Sequence, residues 1–372
     1  NNSLKKILGN KNSKNIFLKS DKCYQESELM KNNSLGETLE LISKKGSKEF
    51  YQGTIAKDIV ETLNELGGLH TLEDFSKQKT IRSETIKSTY RENLIHQCPP
   101  NGPGVAVLIM MKLLEKLEIQ KYHFNSTERF HLEAEVTKQA YKIKEQQLGD
   151  PNFAKFDLKE MLSDKNIESI LNKINLNSCS DVGDLNIPAH PETVYLTVVD
   201  KDLNSISIIN SVCYVFGSGI TTNNTGILLH NRGTNFRVEE GHPNCIEGLK
   251  RPLHTIIPGM VTDKTNNAIL SYGVMGGQYQ PVGQVHVLNS MFDYKMGPQE
   301  AISFPRAFHF NNIYKLENTI PNEIYHGLKK IGHNVEYIDG THGGGQAIKI
   351  DRSSGNLLGG SDPRKDGYAK GY

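Results

Sequence analysis

Glu192-Thr193-Val194-Tyr195-Leu196-Thr197-Val198-Val199-Asp200 is the stretch on which the reading of this chain turns. From Val194 the apolar side chains Val194, Leu196 and Val198 recur at every second position, the period of a strand, and Thr193 stands at its head. A threonine there is ordinarily a β-branched residue in a place that suits it. Its hydroxyl becomes a nucleophile only beside a base, and a free α-amino group on the same residue can be that base. Cutting between Glu192 and Thr193 creates both groups at once, so this bond is a candidate hidden N-terminus.

The texture of the sequence changes at the same place. After Thr193, the runs 194–200 and 205–213 flank the turn Lys201-Asp202-Leu203-Asn204, which predicts a hairpin. Further strands are expected at 226–230, 268–274 and 347–351, with helices at 282–292 and 321–331. Before Thr193, apolar residues fall at helical spacing: Leu35, Leu39 and Ile42, then Ile55, Ile59, Leu63 and Leu66, closed by Gly67-Gly68. Thr71-Leu72-Glu73-Asp74 has the spacing of a capping box. A strand is expected at 90–97, and helices at 105–117 and 126–148. Gly149-Asp150-Pro151 stops the last of these, because proline disfavours helical geometry in the residue before it. Residues 1–32 read as a loose lead-in, and 164–191 as a polar irregular loop approaching the candidate scissile bond. A helical first half and a sheet-rich second half give an α+β layered fold.

Composition narrows the function. With 372 residues and 37% hydrophobic content the chain can bury a sizeable core, as one large domain or two intimate ones. Its 43 basic and 42 acidic residues leave a formal charge of +1, so neither nucleic acid nor an anionic membrane is drawn to it at long range. The 5 cysteines, Cys23, Cys98, Cys179, Cys213 and Cys245, contain no CxxC pair and read as free thiols. No apolar run is long enough to span a bilayer, and the first fifteen residues contain no signal-peptide core. The compartment, cytoplasmic or periplasmic/extracellular, stays open.

Phe216-Gly217-Ser218-Gly219, Met275-Gly276-Gly277 and Gly343-Gly344-Gly345 offer backbone that a ligand can approach closely. None matches a phosphate-binding loop. The 13 histidines show no metal-binding spacing, and His190, His242, His254 and His286 read as packed or hydrogen-bonded side chains. No metal or organic cofactor is called for.

Taken together, the 192–200 run, Phe216-Gly-Ser-Gly-Ile220, Gly226-Ile-Leu-Leu-His-Asn-Arg-Gly233, Lys250-Arg-Pro-Leu-His-Thr255, Met275-Gly-Gly277 and Ser361-Asp-Pro-Arg364 resemble the γ-glutamyltransferase family. Gly343-Gly-Gly-Gln-Ala-Ile348 and Pro99-Pro-Asn-Gly102 resemble its divergent γ-glutamyltransferase-like branch. The resemblance covers the chain from about Leu35 to Tyr372. It implies a four-layer αββα N-terminal-nucleophile hydrolase sandwich, made as a precursor that cuts itself. Residues 1–192 would then be the C-terminal part of the heavy chain and 193–372 the light chain, the two staying associated after processing. It also implies that a stretch preceding this region in family members has no counterpart in residues 1–34, and a core without it exposes apolar surface and a sheet edge.

Position by position, the resemblance makes Thr193 nucleophile and base and gives Ser211 a supporting hydroxyl. Gly276 and Gly277 supply oxyanion-hole N–H groups, worth roughly 3–4 kcal/mol per donor. Cys213 falls where glutathione-degrading members carry a substrate-contacting asparagine. Arg232 and Asn235 fall where they carry acidic residues that hold the substrate ammonium, and His254 and Thr255 where paired serines bind its carboxylate. An arginine cannot pair with an ammonium and prefers carboxylates, so the acyl group is expected to be anionic or differently oriented. The implied substrates are small-molecule or peptide γ-glutamyl amides, glutathione-like or poly-γ-glutamate-like, with water or an amine as acceptor. Two other readings stand beside this: an inactive remnant serving as a scaffold, and an acylase for a different dicarboxyl-type amide.

Overall fold

The strand Ala268–Met275 sorts the layers of the larger part of the molecule by the alternation of its side chains. In this computed structural model, which describes residues 2–185, 187 and 193–372, it lies inside a six-stranded antiparallel sheet. The strands run in the order Leu357–Ser361, Gly344–Ile350, Ala268–Met275, Gly259–Thr262, Asn93–Gln97, Ile86–Tyr90. Tyr272 and Val274 face helices. Gln97 Nε2 donates to Tyr272 Oη at 2.9 Å and to Gln284 Oε1 at 2.6 Å, and a Cβ on Gly283 would meet Val274 Cγ1 at 2.6 Å. Ser271 and Gly273 face the opposite way, onto the hairpin Val194–Val199/Ser205–Asn210. There the Ser271 and Thr197 hydroxyls lie 2.6 Å apart, and a Cβ on Gly273 would come within 2.3 Å of the Tyr195 ring.

Helices, sheet and hairpin therefore stack as three successive layers, α, β and β, of an αββα sandwich, and the described residues leave the outer face of the hairpin uncovered. The Gly104–Lys116 helix is apolar almost all round, with Val105 through Met111 fully buried, as befits an interior helix. Beside it lie Thr127–Gln147, whose Ser126 cap accepts from Arg129 N, and Gln280–Phe292. The hairpin buries its Tyr195 face and turns the other to solvent: Val194, Leu196, Val198, Ile206 and Ile208 are 41–67% exposed. Leu196 pairs with Ile208 and Val198 with Ile206 across the ladder, so these side chains form one continuous apolar patch.

This unit comprises Glu84–Ser211 and Gly233–Tyr372; the other comprises Asn1–Ser83 and Val212–Arg232. In the latter, the expected helical region is three helices, Asn33–Lys45, Ser47–Gln52 and Thr54–Glu65, and the Thr71/Asp74 capping box is formed. Burial pushes the Asp58 carboxyl up, but hydrogen bonds from Thr225 and Asn224 outweigh it and hold the group below its ordinary value.

Several expectations are corrected. The lead-in forms helices at Asn2–Leu8 and Lys11–Phe17, where Lys6 Nζ donates to the carbonyls of Val215 and Gly217. Residues 226–230 make only an isolated bridge, Thr221 to Leu228, because Asp58 ties the preceding residues 224–225 into a turn. The polar 164–191 stretch opens with a helix, Asp164–Leu171, which buries Ile167 and Ile170. The expected strand at 90–97 is the hairpin Ile86–Tyr90/Asn93–Gln97, turned through Arg91 and Glu92 with positive φ.

Two buried histidines make stability pH-dependent. Burial, above all, holds the pKa of His342 down to about 4 and that of His333 to about 2. The unfolded chain takes up these protons near the ordinary histidine value of about 6.5 while the folded chain does not. Stability is therefore full above that value and falls as pH drops below it, by up to about 1.4 kcal/mol per pH unit for each group. Urea midpoints measured from pH 7 to pH 5 are expected to decline; a flat profile contradicts this assignment.

Candidate active site

The hairpin register carries Thr193 to Ser211. Val194 lies opposite Asn210, so the residues one step further out, Thr193 and Ser211, face each other at the open end. The Thr193 hydroxyl donates to Ser211 Oγ at 3.4 Å, a long contact, and accepts from Gln280 Nε2 at 3.3 Å. Thr193 is 9% exposed and Gln280 fully buried. Glu192, the other side of the candidate scissile bond, and His190 lie outside the described residues.

Gln280 reaches Thr193 because of the Gly276-Gly277 turn, which reverses the chain between the Ala268–Met275 strand and the Gln280–Phe292 helix. Gly276 has φ 114° and Gly277 φ 57°, a backbone that glycine adopts without strain. A Cβ on Gly276 would also meet Gly343 Cα at 2.6 Å, so two of the glycine-rich segments pack on each other. Buried polar groups hold the turn from behind: Tyr141 Oη donates to the Gln278 carbonyl, and Lys144 Nζ to Gln278 Oε1 at 2.7 Å. On the far side, Asp362 accepts from Gly345 N at 2.7 Å and pairs with Arg306 at 2.6 Å, both side chains fully buried. That gives Ser361-Asp362-Pro363-Arg364 a structural task. The glycines of the 216–219 segment are used internally: a Cβ on Gly217 would meet the Leu229 carbonyl at 2.4 Å, and one on Gly219 the Lys6 side chain at 2.3 Å.

Asn235, His254 and Thr255 come together around a cavity of about 10 Å³, room for about one water, with Glu145, Arg237, Asn244, Leu253 and Gln278 completing the wall. The Thr255 hydroxyl is buried there without a hydrogen-bond partner among the described residues. Burial pushes the Glu145 carboxyl up, but Lys144 at 2.6 Å and Arg237 at 2.7 Å outweigh it and keep it below its ordinary value. The backbone of this wall is pinned by two of the sequence motifs. Asp150 takes the Arg251 side chain through Nε and Nη2, each at 3.0 Å, and the Asn101 carbonyl accepts from His254 N at 3.1 Å. Gly102 leaves room for the His254 ring, which a Cβ there would approach to 2.8 Å.

Cys213 and Arg232 belong to the other unit. Cys213 is fully buried with φ 80°, and half-buried Arg232 opens the short turn Arg232–Asn235. Burial lowers the Arg232 pKa, and the nearby Cys213 thiol acts in the opposite direction.

Among the described residues, His131, Glu135 and His333 gather atoms with metal-ligand chemistry. Those atoms are already engaged. His131 Nε2 donates to the Asn175 carbonyl and its Nδ1 pairs with His333 Nε2, both at 2.7 Å, while Glu135 takes Lys138 Nζ at 2.7 Å and Ser180 N at 3.0 Å. With an ammonium already on the carboxylate, this is a buried hydrogen-bond network.

Sequence reasoning missed Gln280 and the Tyr141/Lys144 brace. The available signal was Pro281, whose place in the first helical turn puts the residue before it at the helix start, beside the glycine turn.

A sequence profile describing gamma-glutamyltranspeptidase matches residues 1–372. The chain is 34% identical over 371 residues to the glutathione hydrolase-like YwrD proenzyme of Bacillus subtilis (strain 168), covering 96% of this chain and 69% of that protein. It is 27% identical over 347 residues to the oxamate amidohydrolase proenzyme of Klebsiella pneumoniae subsp. pneumoniae, covering 91% and 65%. Among solved structures, the cephalosporin acylase from Bacillus halodurans superposes with a TM-score of 0.88 at 29% identity, over 96% of this chain and 66% of that one. The chain thus spans about two thirds of the length of each of these relatives. No described helix is long and apolar enough to cross a membrane. With a profile match along its whole length, and helices, sheet and hairpin layered behind the Thr193 end of the hairpin, this chain belongs to the gamma-glutamyltranspeptidase family.

Proposed function

We propose that the chain is the self-processing, catalytic part of an N-terminal-threonine amidohydrolase or acyltransferase. The observation that carries this is the Thr193 hydroxyl, buried at the hairpin end between Ser211 and Gln280, the glutamine lying three residues after Gly277. Thr193 Oγ attacks the Glu192 carbonyl carbon, the C–N bond to Thr193 breaks, and the acyl group moves from nitrogen to oxygen. Water then hydrolyses the ester, leaving a carboxylate on residue 192 and a free α-amine on Thr193. Residues 1–192 become the C-terminal part of the heavy chain and 193–372 the light chain.

In the mature form the α-amine, with an ordinary pKa of about 7.7–8.0, takes the hydroxyl proton near neutral pH. Oγ adds to the substrate amide carbonyl, and the Gly276 and Gly277 N–H groups receive the developing oxyanion. The amine leaves with the proton, and water or an acceptor amine resolves the acyl-enzyme. Acyl recognition is assigned to Asn235, His254 and Thr255, which line the small cavity, and, from the sequence resemblance alone, to Arg232. Such residues favour an anionic acyl group, as in γ-glutamyl or related dicarboxyl amides. The relatives' names, which span glutathione, oxamate and cephalosporin, agree with one chemistry applied to different acyl groups.

Denaturing intact-mass analysis with N-terminal sequencing tests the processing step. A new terminus reading Thr193-Val194-Tyr195-Leu196 is expected. An uncut wild-type chain that also resists labelling by a threonine-directed acylating reagent favours the scaffold reading. A panel of γ-glutamyl, oxamyl and glutaryl amides then assigns the donor.

A further inference from the structure

The carboxamide of Gln280 has two ends, and the contact with Thr193 uses one. Nε2 donates to Thr193 Oγ1 at 3.3 Å, while Oε1 is buried with no hydrogen-bond partner among the described residues. The side chain is fully buried, and a bare carbonyl oxygen in such a place is costly. Native structures leave few such acceptors, and each asks for a reason. The two ends of a carboxamide lie less than one hydrogen-bond length apart, so Oε1 sits close to the residue that Nε2 touches. Cleavage before Thr193 changes the donors there: a peptide nitrogen with one proton becomes an amine with two or three.

We propose that Gln280 is a catalytic clamp on Thr193, its Nε2 holding Oγ1 and its Oε1 receiving the α-amine that self-cleavage creates. This rests on the processing reading above. The Nε2 bond occupies one lone pair of Oγ1, orients the other toward the carbonyl, and stabilises the negative charge that grows on Oγ1 as its proton leaves. The Oε1 bond turns the amine so that its own lone pair faces the hydroxyl proton, and it favours the ammonium form. No covalent bond to Gln280 forms or breaks. The competing account is that Gln280 merely fills space at the start of the Gln280–Phe292 helix.

Gln280→Met keeps the volume and removes both hydrogen bonds; Gln280→Glu keeps the shape, removes the donor and adds a charged acceptor. In the full-length polypeptide we would follow three readouts: appearance of the Thr193 terminus by intact mass, Tm, and the pH dependence of α-amine acylation by acetic anhydride. The methionine variant is expected to cleave at least tenfold more slowly at unchanged Tm. The acylation limb should lie highest for Glu, then Gln, then Met, an order that a packing role does not produce. Wild-type cleavage and titration in the methionine variant overturn the clamp alone. Should that variant fold poorly, the isosteric glutamate variant decides by the same readouts, with wild-type cleavage rate and limb overturning the clamp. A wild-type chain that never yields the Thr193 terminus removes the underlying reading and the clamp with it.

Discussion

Thr193→Ala is expected to give a chain that stays in one piece and turns over no amide, with the fold intact. The substitution removes Oγ, which does two jobs in the proposed scheme: it is the attacking atom in self-cleavage and again in acyl transfer. Removing a nucleophile from a catalytic constellation of this kind costs on the order of 10⁴–10⁶ in kcat. The site loses little packing, because the Tyr195 ring over Gly273 and the ladder from Val194 to Asn210 do not involve the hydroxyl. Melting temperature should therefore stay close to wild type, which separates lost chemistry from lost structure. Thr193→Ser retains the hydroxyl and is expected to cleave and turn over, more slowly. Intact mass and amide turnover on the three proteins check this together; cleavage of the alanine chain at the same bond contradicts self-processing by Thr193.

Asp362→Ala has the largest expected effect on stability. Asp362 pairs with Arg306 at 2.6 Å and with Arg364 at 3.3 Å, and accepts from Gly345 N at 2.7 Å. Arg306 is fully buried, so taking away the carboxylate strands a guanidinium in the interior, a change that costs about 3–5 kcal/mol. Carbonyls of His342 and Ile302 still accept from Arg306, which keeps the cost within that range. The damage should also reach the site, because Gly345 N loses its acceptor two residues from Gly343, against which Gly276 packs. Chemical denaturation of Asp362→Ala and Asp362→Asn measures it. The asparagine variant, which keeps an acceptor for Gly345 N, is expected to lose less, and equal stability of wild type and alanine variant refutes the assignment.

The parts of this molecule that local chemistry dictates were legible in its sequence. The Thr71/Asp74 box, the hairpin around 201–204 and the helix stop at Gly149-Asp150-Pro151 each depend on neighbours within a few residues. The place of Thr193 at the head of a hairpin strand was legible because the period-two run starts beside it. Short strands such as Gly259–Thr262, Ala307–Phe310, Ile313–Glu317 and Val335–Ile338 were not, since four or five residues give a period-two pattern little length to declare itself. Asp164–Leu171 hid behind its polar residues, with only Ile167 and Ile170 turned inward. Gln280 was invisible for a different reason. Its meaning lies wholly in a contact with a residue 87 positions earlier, and an amide side chain carries no motif.

The recess at Gly273 has a consequence for what a chain end can do. Free N-termini usually fray over their first residues, and a nucleophile carried on one would spend much of its time out of reach. Here the third residue of the proposed light chain, Tyr195, is 5% exposed, its ring lies over Gly273 and its hydroxyl is bonded to Ser207 at 2.7 Å. Fraying is thereby confined to Thr193 and Val194, and a newly made terminus keeps the rigidity of an interior strand.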